Sequence, residues 1–187
     1  RNLRSAVDTG VIRTVITSRR FVEMAKLEDI VSGLAAHDTR PGTKLRIVYL
    51  EDIRTSIGIV DKMRGLLRAT APVRFHTRHA LRPDQPAVVL FTSGTEGAPK
   101  GVVLSNRNLI ANARQIFAHA DGMLSTADVV FNPLPMFHSF GLTAATLMPL
   151  LSGMRTILYP SPLHYKQVAD LIGKTRATVL FATDTFL

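Results

Sequence analysis

The sequence contains no cysteine and no tryptophan. Without a thiol there is no disulfide framework, no thiolate metal site and no cysteine nucleophile, and the composition fits a reducing compartment. Long hydrophobic runs are missing too: none reaches the roughly 18–20 apolar residues that a membrane-spanning helix needs. Aromatic side chains are few, three Tyr and nine Phe, and no basic run exceeds two residues. The stacking platforms and basic tracts of a nucleic-acid binder are therefore lacking, and nucleic acid is not an expected partner.

Acidic residues are scarce on one side of the chain only. Lys and Arg number 23 against 14 Asp and Glu, a balance of 23 − 14 = +9. Residues 1–82 hold 16 basic against 8 acidic side chains, and residues 83–187 hold 7 against 6. Clustered positive charge speeds encounter with an acidic partner, such as an anionic lipid or an acidic protein. The alternative is a solvated Arg-rich surface.

What is present is a chain able to build a core. Of 187 residues, 46% are apolar and 20% charged, the composition of a compact domain or part of a larger one. It starts at Arg1 without an initiator Met and stops straight after the apolar run TVLFATDTFL, so the expectation is an excised piece of a longer protein. Strand-length apolar runs occur at Val11 to Ile16, Leu45 to Leu50, Ala87 to Phe91, Val102 to Leu104, Val129 to Phe131, Thr156 to Tyr159 and Thr178 to Phe181. Between them lie segments of helical period. Ile57, Val60, Met63 and Leu67 recur on one face, opposite Asp61, Lys62, Arg64 and Arg68. Leu109, Ile110, Ala113, Ile116, Phe117 and Ala120 form a second stripe, with Ser105 or Asn106 available as its cap. Further helices are predicted from near Ser139 to Leu151 and from His164 to Lys174. Thr70 to Gln85, basic and with two prolines, reads as a connection. This alternation predicts an α/β fold, a mostly parallel sheet covered by helices, in two parts: 1–82, and 83–187.

The most specific feature is Leu90 to Gly101, LFTSGTEGAPKG. A β-run opens into a loop of Gly, Ser and Thr with one Lys, then re-enters a β-run. Glycines 94, 97 and 101 let backbone N–H groups approach an anion without a Cβ in the way. The hydroxyls of Thr92, Ser93 and Thr95 donate, and Lys100 adds charge, so the loop is suited to a polyphosphate. A Walker A loop is excluded, because Pro99 rather than Gly precedes Lys100 and Gly101 rather than Ser or Thr follows it. A glycine-rich hairpin without a ligand is the remaining structural alternative.

TSGTEGAPKG resembles the signature loop of the acyl-adenylate-forming, AMP-binding ligases, the superfamily of acyl-CoA synthetases, luciferases and peptide-synthetase adenylation domains. PLPMFHSFGLT, Pro133 to Thr143, resembles their second motif. The stretches IRTVITSRRFVEMAKL, RIVYLED, FHSFGLT and LYPSPLHYKQVADLIGKTRATVLFATDTFL resemble more narrowly the synthetase half of the bacterial bifunctional 2-acylglycerophosphoethanolamine acyltransferase/acyl-acyl carrier protein synthetases.

The resemblance implies part of the large N-terminal domain of such a ligase, without the rest of that domain and without the small mobile domain that bears the family's catalytic lysine. It implies that Thr92, Ser93, Gly94, Thr95, Glu96, Gly97 and Lys100 hold the phosphates of ATP, with Mg²⁺ at the same site. It also implies that His138 lies near the acyl carboxylate and the α-phosphate. A long-chain fatty acid would be activated as its adenylate and passed to the thiol of acyl carrier protein, or of coenzyme A, for re-acylation of lysophospholipid. A non-catalytic nucleotide-binding module is the reading from another class. The implied location is cytoplasmic, at the inner face of the bacterial membrane in the full-length protein, and an incomplete piece alone is expected to be inactive and to self-associate. Met136, Phe137, Phe140, Leu142 and Met148 either line an acyl channel or fill the core. His76 and His79, three apart in FHTRH, have no third ligand nearby in the sequence and stand in cationic surroundings. His119 and His164 read as structural.

Overall fold

The computed structural model describes residues 2–40, 43–76, 82–92 and 100–183. The chain falls into two compact units, one of Arg1–Leu81 with Phe91–Gly101, the other of Arg82–Leu90 with Val102–Leu187.

The first unit runs α1 (Asn2–Thr9), β1 (Thr14–Thr17), α2 (Arg19–Met24), α3 (Glu28–Ala35), β2 (Asp38–Arg40), β3 (Thr43–Lys44), β4 (Arg46–Tyr49), α4 (Leu50–Ser56), α5 (Ile59–Ala69) and α6 (Pro72–His76). β1 and β4 are parallel, Thr14 opposite Arg46 and Thr17 opposite Tyr49. A parallel pair needs a long crossover, here supplied by α2, α3 and the antiparallel pair β2 and β3. Val7, Leu34 and Leu45 form the buried core, with Ile12, Val15 and Ile47 against it.

The ends of β1 and β4 are tied together by polar groups. Ser18 caps α2, its Oγ accepting the Phe21 N–H at 3.4 Å and donating to Glu51 at 2.7 Å. The Arg19 N–H also donates to Glu51, at 3.1 Å, and the Arg19 guanidinium forks onto Asp52 at 2.6 and 2.8 Å. Hydrogen bonds to its charged form, that from Ser18 foremost, lower the Glu51 carboxyl to about 2.

β5 (Pro86–Thr92) and β6 (Lys100–Ser105) pair with each other, their loop-side ends Phe91–Thr92 and Lys100–Gly101 belonging to the first unit and the rest to the second; the second unit continues with α7 (Asn106–His119), β7 (Val129–Asn132), α8 (Ser139–Leu142), a π-helical turn Thr143–Leu147, α9 (Met148–Leu151), β8 (Arg155–Leu158), α10 (Tyr165–Thr175) and β9 (Val179–Leu180). The three-stranded sheet has the order β8, β7, β9, and both pairings are parallel. Its central strand is fully buried at Val130, Phe131 and Asn132, as a parallel strand covered on both faces must be. Ala113 of α7, Met148 of α9 and Met154 close over Val130. Burying a side chain the size of Phe131 or Met148 contributes about 2 kcal/mol each. Ser105 caps α7 by a reciprocal pair: its Oγ accepts the Asn108 N–H at 3.2 Å, and Asn108 Oδ1 accepts the Ser105 N–H at 2.9 Å.

The fold is α/β: β1 with β4 and β7 with β8 and β9 are parallel pairings, and β2 with β3 is antiparallel. Three details depart from the sequence reading. α1, α2, α3 and α4 were not read as helices, and Leu50, read as the end of a strand, opens α4; α2 has six residues, α4 seven and α1 and α3 eight each, too few for a period to stand out. The segment read as a bare connection carries the short helix α6. The helix expected over 139–151 is broken by the π-helical turn. No helix among the described residues is long and apolar enough to cross a membrane.

Candidate functional site

Thr92 ends β5 and Lys100 opens β6, so the two flank the glycine-rich loop. Thr92 Oγ1 donates a long hydrogen bond, 3.5 Å, to the Lys100 carbonyl. The Lys100 side chain is exposed. Ser93, Gly94, Thr95, Glu96 and Gly97 lie outside the described residues. What the structure brings together from this motif is its two ends, one hydroxyl and one cation.

His138 belongs to the second unit. It stands between β7 and α8 as the residue preceding the helix, exposed, with Nδ1 accepting the Phe140 N–H at 3.4 Å. With Nδ1 an acceptor, the neutral ring carries its proton on Nε2, which meets no hydrogen-bond partner among the described residues. The backbone is pinned on both sides: the His138 N–H donates to the Pro135 carbonyl at 3.1 Å, and the Leu142 N–H to the His138 carbonyl at 2.9 Å.

Beneath this loop lies a polar network that the sequence reading did not identify. Asn132 is 1% exposed and Thr146 6%. Asn132 Nδ2 donates to Thr146 Oγ1 at 2.9 Å, Thr146 Oγ1 donates to the Gly141 carbonyl at 2.7 Å, and Asn132 Oδ1 accepts the Leu134 N–H at 2.9 Å. The reach of Thr146 back five residues matches the π-helical winding there. Such turns concentrate at functional sites. Gly141 completes the arrangement: a Cβ at that position would collide with the Pro135 carbonyl oxygen and stand 3.2 Å from Leu134 Cβ. The only sequence signal was an Asn closing the apolar run VVF, a polar residue placed where a buried strand ends.

Beside the loop is an open cavity of about 720 Å³, walled by Leu134, Met136, Phe137, Leu158, Tyr159 and Leu163 among others, with no charged side chain among the described lining residues. Met136 and Phe137 therefore face a cavity, while Met148 is wholly buried in the core. Phe140 packs edge-on to Phe181, with ring centroids 5.8 Å apart. Tyr159 is held from two sides. Its ring stacks on Phe131 at 6.0 Å, and its hydroxyl lies 3.1 Å from His164 Nδ1. His164 is thus a support of the cavity wall. His119 closes the last turn of α7. His79 lies outside the described residues, and only the backbone of His76 is within them.

Comparison with known proteins agrees with this architecture. Residues 3–187 match the AMP-binding enzyme family, and the chain belongs to it. It is 33% identical over 171 residues to a probable CoA ligase, CCL5, of Humulus lupulus, covering 88% of this chain and 29% of that protein. It is 32% identical over 162 residues to the mitochondrial medium-chain acyl-CoA ligase ACSF2 of Bos taurus, covering 86% of this chain and 24% of that protein. The chain thus spans under a third of the length of these relatives. Among solved structures, ATP-bound MatB from Rhodopseudomonas palustris superposes with a TM-score of 0.66 at 21% identity over 98% of this chain and 32% of that one. The shared fold is that of adenylate-forming ligases.

Proposed function

We propose that this chain is part of an ATP-dependent fatty acid ligase that makes an acyl-adenylate and hands the acyl group to a thiol. The observation that carries the choice of acid is the cavity beside the His138 loop, whose mainly Leu, Met, Phe and Pro wall, with no charged group among the described lining residues, suits a hydrocarbon tail. A short dicarboxylate or a sulfonated acid would leave its second anion there without a partner.

ATP would lie with its phosphates on the loop between Thr92 and Lys100. The ends of that loop fit a polyanion, since the exposed Lys100 ammonium is paired with no carboxylate among the described residues. Mg²⁺ bound to the triphosphate would offset its charge; among the described residues no group of three His, Asp or Glu stands ready to hold a metal by itself. One carboxylate oxygen of the acid then attacks the α-phosphorus, the bond from that phosphorus to the bridging oxygen breaks, and pyrophosphate leaves. Two anions must be held together for this step, so cationic and hydrogen-bond cover is what the site has to supply. In this reading His138 would donate from Nε2 to an oxygen of the carboxylate or the α-phosphate.

For the acceptor we favour the phosphopantetheine thiol of acyl carrier protein, re-acylation of lysophospholipid being the end use. Carrier proteins are acidic, and the basic excess of residues 1–82 would steer one. Coenzyme A is the second reading, favoured by the CoA ligase names of the relatives.

The test is fatty-acid-dependent ATP–pyrophosphate exchange by the intact gene product over acids of rising chain length, followed by acyl transfer to carrier protein or coenzyme A at low and high salt. Exchange requiring a long-chain acid, with transfer to the carrier that falls steeply with salt, is the expected result. ATP binding without exchange for any acid would leave only the nucleotide-binding module.

A further inference from the structure

The apolar cavity of the second unit has walls of two kinds. Met136, Phe137, Leu158 and Leu163 are exposed side chains without a polar anchor among the described residues, and such side chains, Met above all, adjust to whatever lies against them. Leu134 is buried, and Tyr159 is clamped. The Tyr159 N–H donates to the Asn132 carbonyl at 2.9 Å, which fixes its backbone to the buried end of β7. Its ring stacks on the wholly buried Phe131, with centroids 6.0 Å and planes 28° apart. Its hydroxyl lies 3.1 Å from His164 Nδ1, and the His164 ring stands edge-on to it, centroids 5.9 Å apart at 76°. Held at its backbone, its ring and its tip, Tyr159 cannot turn without breaking a contact.

The grip of His164 comes at the expense of its own helix. His164 precedes α10, at the position where a Ser, Thr, Asp or Asn side chain would accept a free N–H of the first turn. Its side chain caps nothing there and turns to Tyr159 instead. The chain between the two is stiff as well. Pro160 and Pro162 fix their φ angles, and Ser161 Oγ accepts the Leu163 N–H at 3.3 Å. The segment from Tyr159 to His164 is therefore a brace, closed by one side-chain hydrogen bond.

A flat wall that does not move, set in a cavity whose other side chains yield, selects by shape. A straight hydrocarbon chain lies along such a wall and keeps van der Waals contact over its length. A methyl branch or a terminal ring lifts the chain off the wall or presses into it, and a clamped side chain gives no room. We propose that Tyr159 is the specificity-determining residue for the tail of the acid, favouring straight chains over branched or ring-bearing ones of equal size, and that His164 is the positioning residue that keeps it in place. Both roles rest on the ligase reading of this cavity and add to it the shape of the substrate.

The experiment compares pairs of fatty acids with equal carbon number, one straight and one methyl-branched or ring-terminated, in ATP–pyrophosphate exchange by the intact gene product. Displacement of a fluorescent fatty acid by the same pairs reads binding without chemistry. The parent is expected to prefer the straight acid by about tenfold or more in kcat/KM, the range that one misplaced methyl group commands in an apolar pocket. Tyr159→Ala should bring that ratio close to unity, chiefly by lowering the KM for the branched acid. Tyr159→Phe and His164→Ala keep an aromatic ring at 159 and remove only the brace. Each should reduce the ratio several-fold, and their double variant should do no more than either alone, because the same bond is lost once. A parent without preference, or a Tyr159→Ala variant that weakens both acids equally, would overturn the proposal and leave Tyr159 a structural residue. Parent-like selection in His164→Ala would remove the positioning role. A parent that exchanges with no acid sinks the ligase reading, and displacement then decides: the same shift of preference in Tyr159→Ala upholds selection by this residue, and no shift overturns it.

Discussion

Asn132 Nδ2 donates to Thr146 Oγ1 at 2.9 Å inside the second unit, joining the end of β7 to the π-helical turn across 14 residues of sequence. The loop that carries His138 lies between these two anchors. Either substitution alone leaves buried partners unsatisfied, so Asn132→Leu and Thr146→Val are each expected to cost about 1–3 kcal/mol. Their double variant should cost clearly less than the sum, because the shared bond is then lost only once. Urea unfolding of the four proteins measures this, and strict additivity would show that the network is not coupled.

Gly141→Ala tests the same loop by crowding. The added Cβ meets the Pro135 carbonyl oxygen, a backbone atom that cannot turn away, and Leu134 Cβ behind it. A loss of about 2–3 kcal/mol is expected, with displacement of the segment between Pro135 and His138. An unchanged melting temperature would contradict the close approach.

On the proposed chemistry, Lys100→Ala and His138→Ala act differently. Lys100 would contact phosphate in both ground and transition states, so its loss should chiefly raise the KM for ATP in the exchange assay. His138 would meet charge that develops as the carboxylate attacks, so its loss should lower kcat about 10²-fold with little change in that KM. A KM effect alone for His138→Ala would remove it from the reacting centre.

The Glu51 carboxyl is held at about 2, below its ordinary 4.5. Because the folded value is depressed, the stabilisation from this group is fully present above about 4.5 and is lost as the pH falls from there through about 2. Ser18→Ala removes the foremost cause, so the Glu51 midpoint should rise and the protein should become less sensitive to pH in that window. Side-chain NMR titration reads the midpoint directly. No movement in Ser18→Ala would assign the depression to the backbone donors instead.

Arg176 terminates α10 in the left-handed region, at φ 53° and ψ 42°. That conformation suits Gly and strains a side chain with a Cβ. Arg176→Gly is expected to stabilise the protein by about 0.5–1 kcal/mol, seen as a higher melting temperature.

Much of this architecture could be read before any coordinates. The stripes of α5 and α7, a cap at Ser105 or Asn106 and the continuous apolar strand at Val129 to Phe131 are local patterns, and local physics decides them. The loop LFTSGTEGAPKG stands out as a contiguous run of glycine, hydroxyl and lysine residues suited to an anion, whereas FHSFG stands out only through its resemblance to a family motif. The short helices before β4 escaped because six to eight residues carry too little periodicity to compete with tertiary packing.

The chain's own letters therefore determined the α/β class and marked the glycine-rich loop as a candidate anion site, while His138 was singled out by resemblance. Only the tertiary structure decided which of the apolar residues near that histidine face a cavity and which are core. It separated Met136 and Phe137 from Met148, turned His164 into a support for Tyr159, and revealed that Asn132 and Thr146 hold the loop. Amphipathicity is written in the sequence, but what a stripe packs against depends on residues far away along the chain, and their meeting is settled by burial and hydrogen-bond satisfaction in three dimensions.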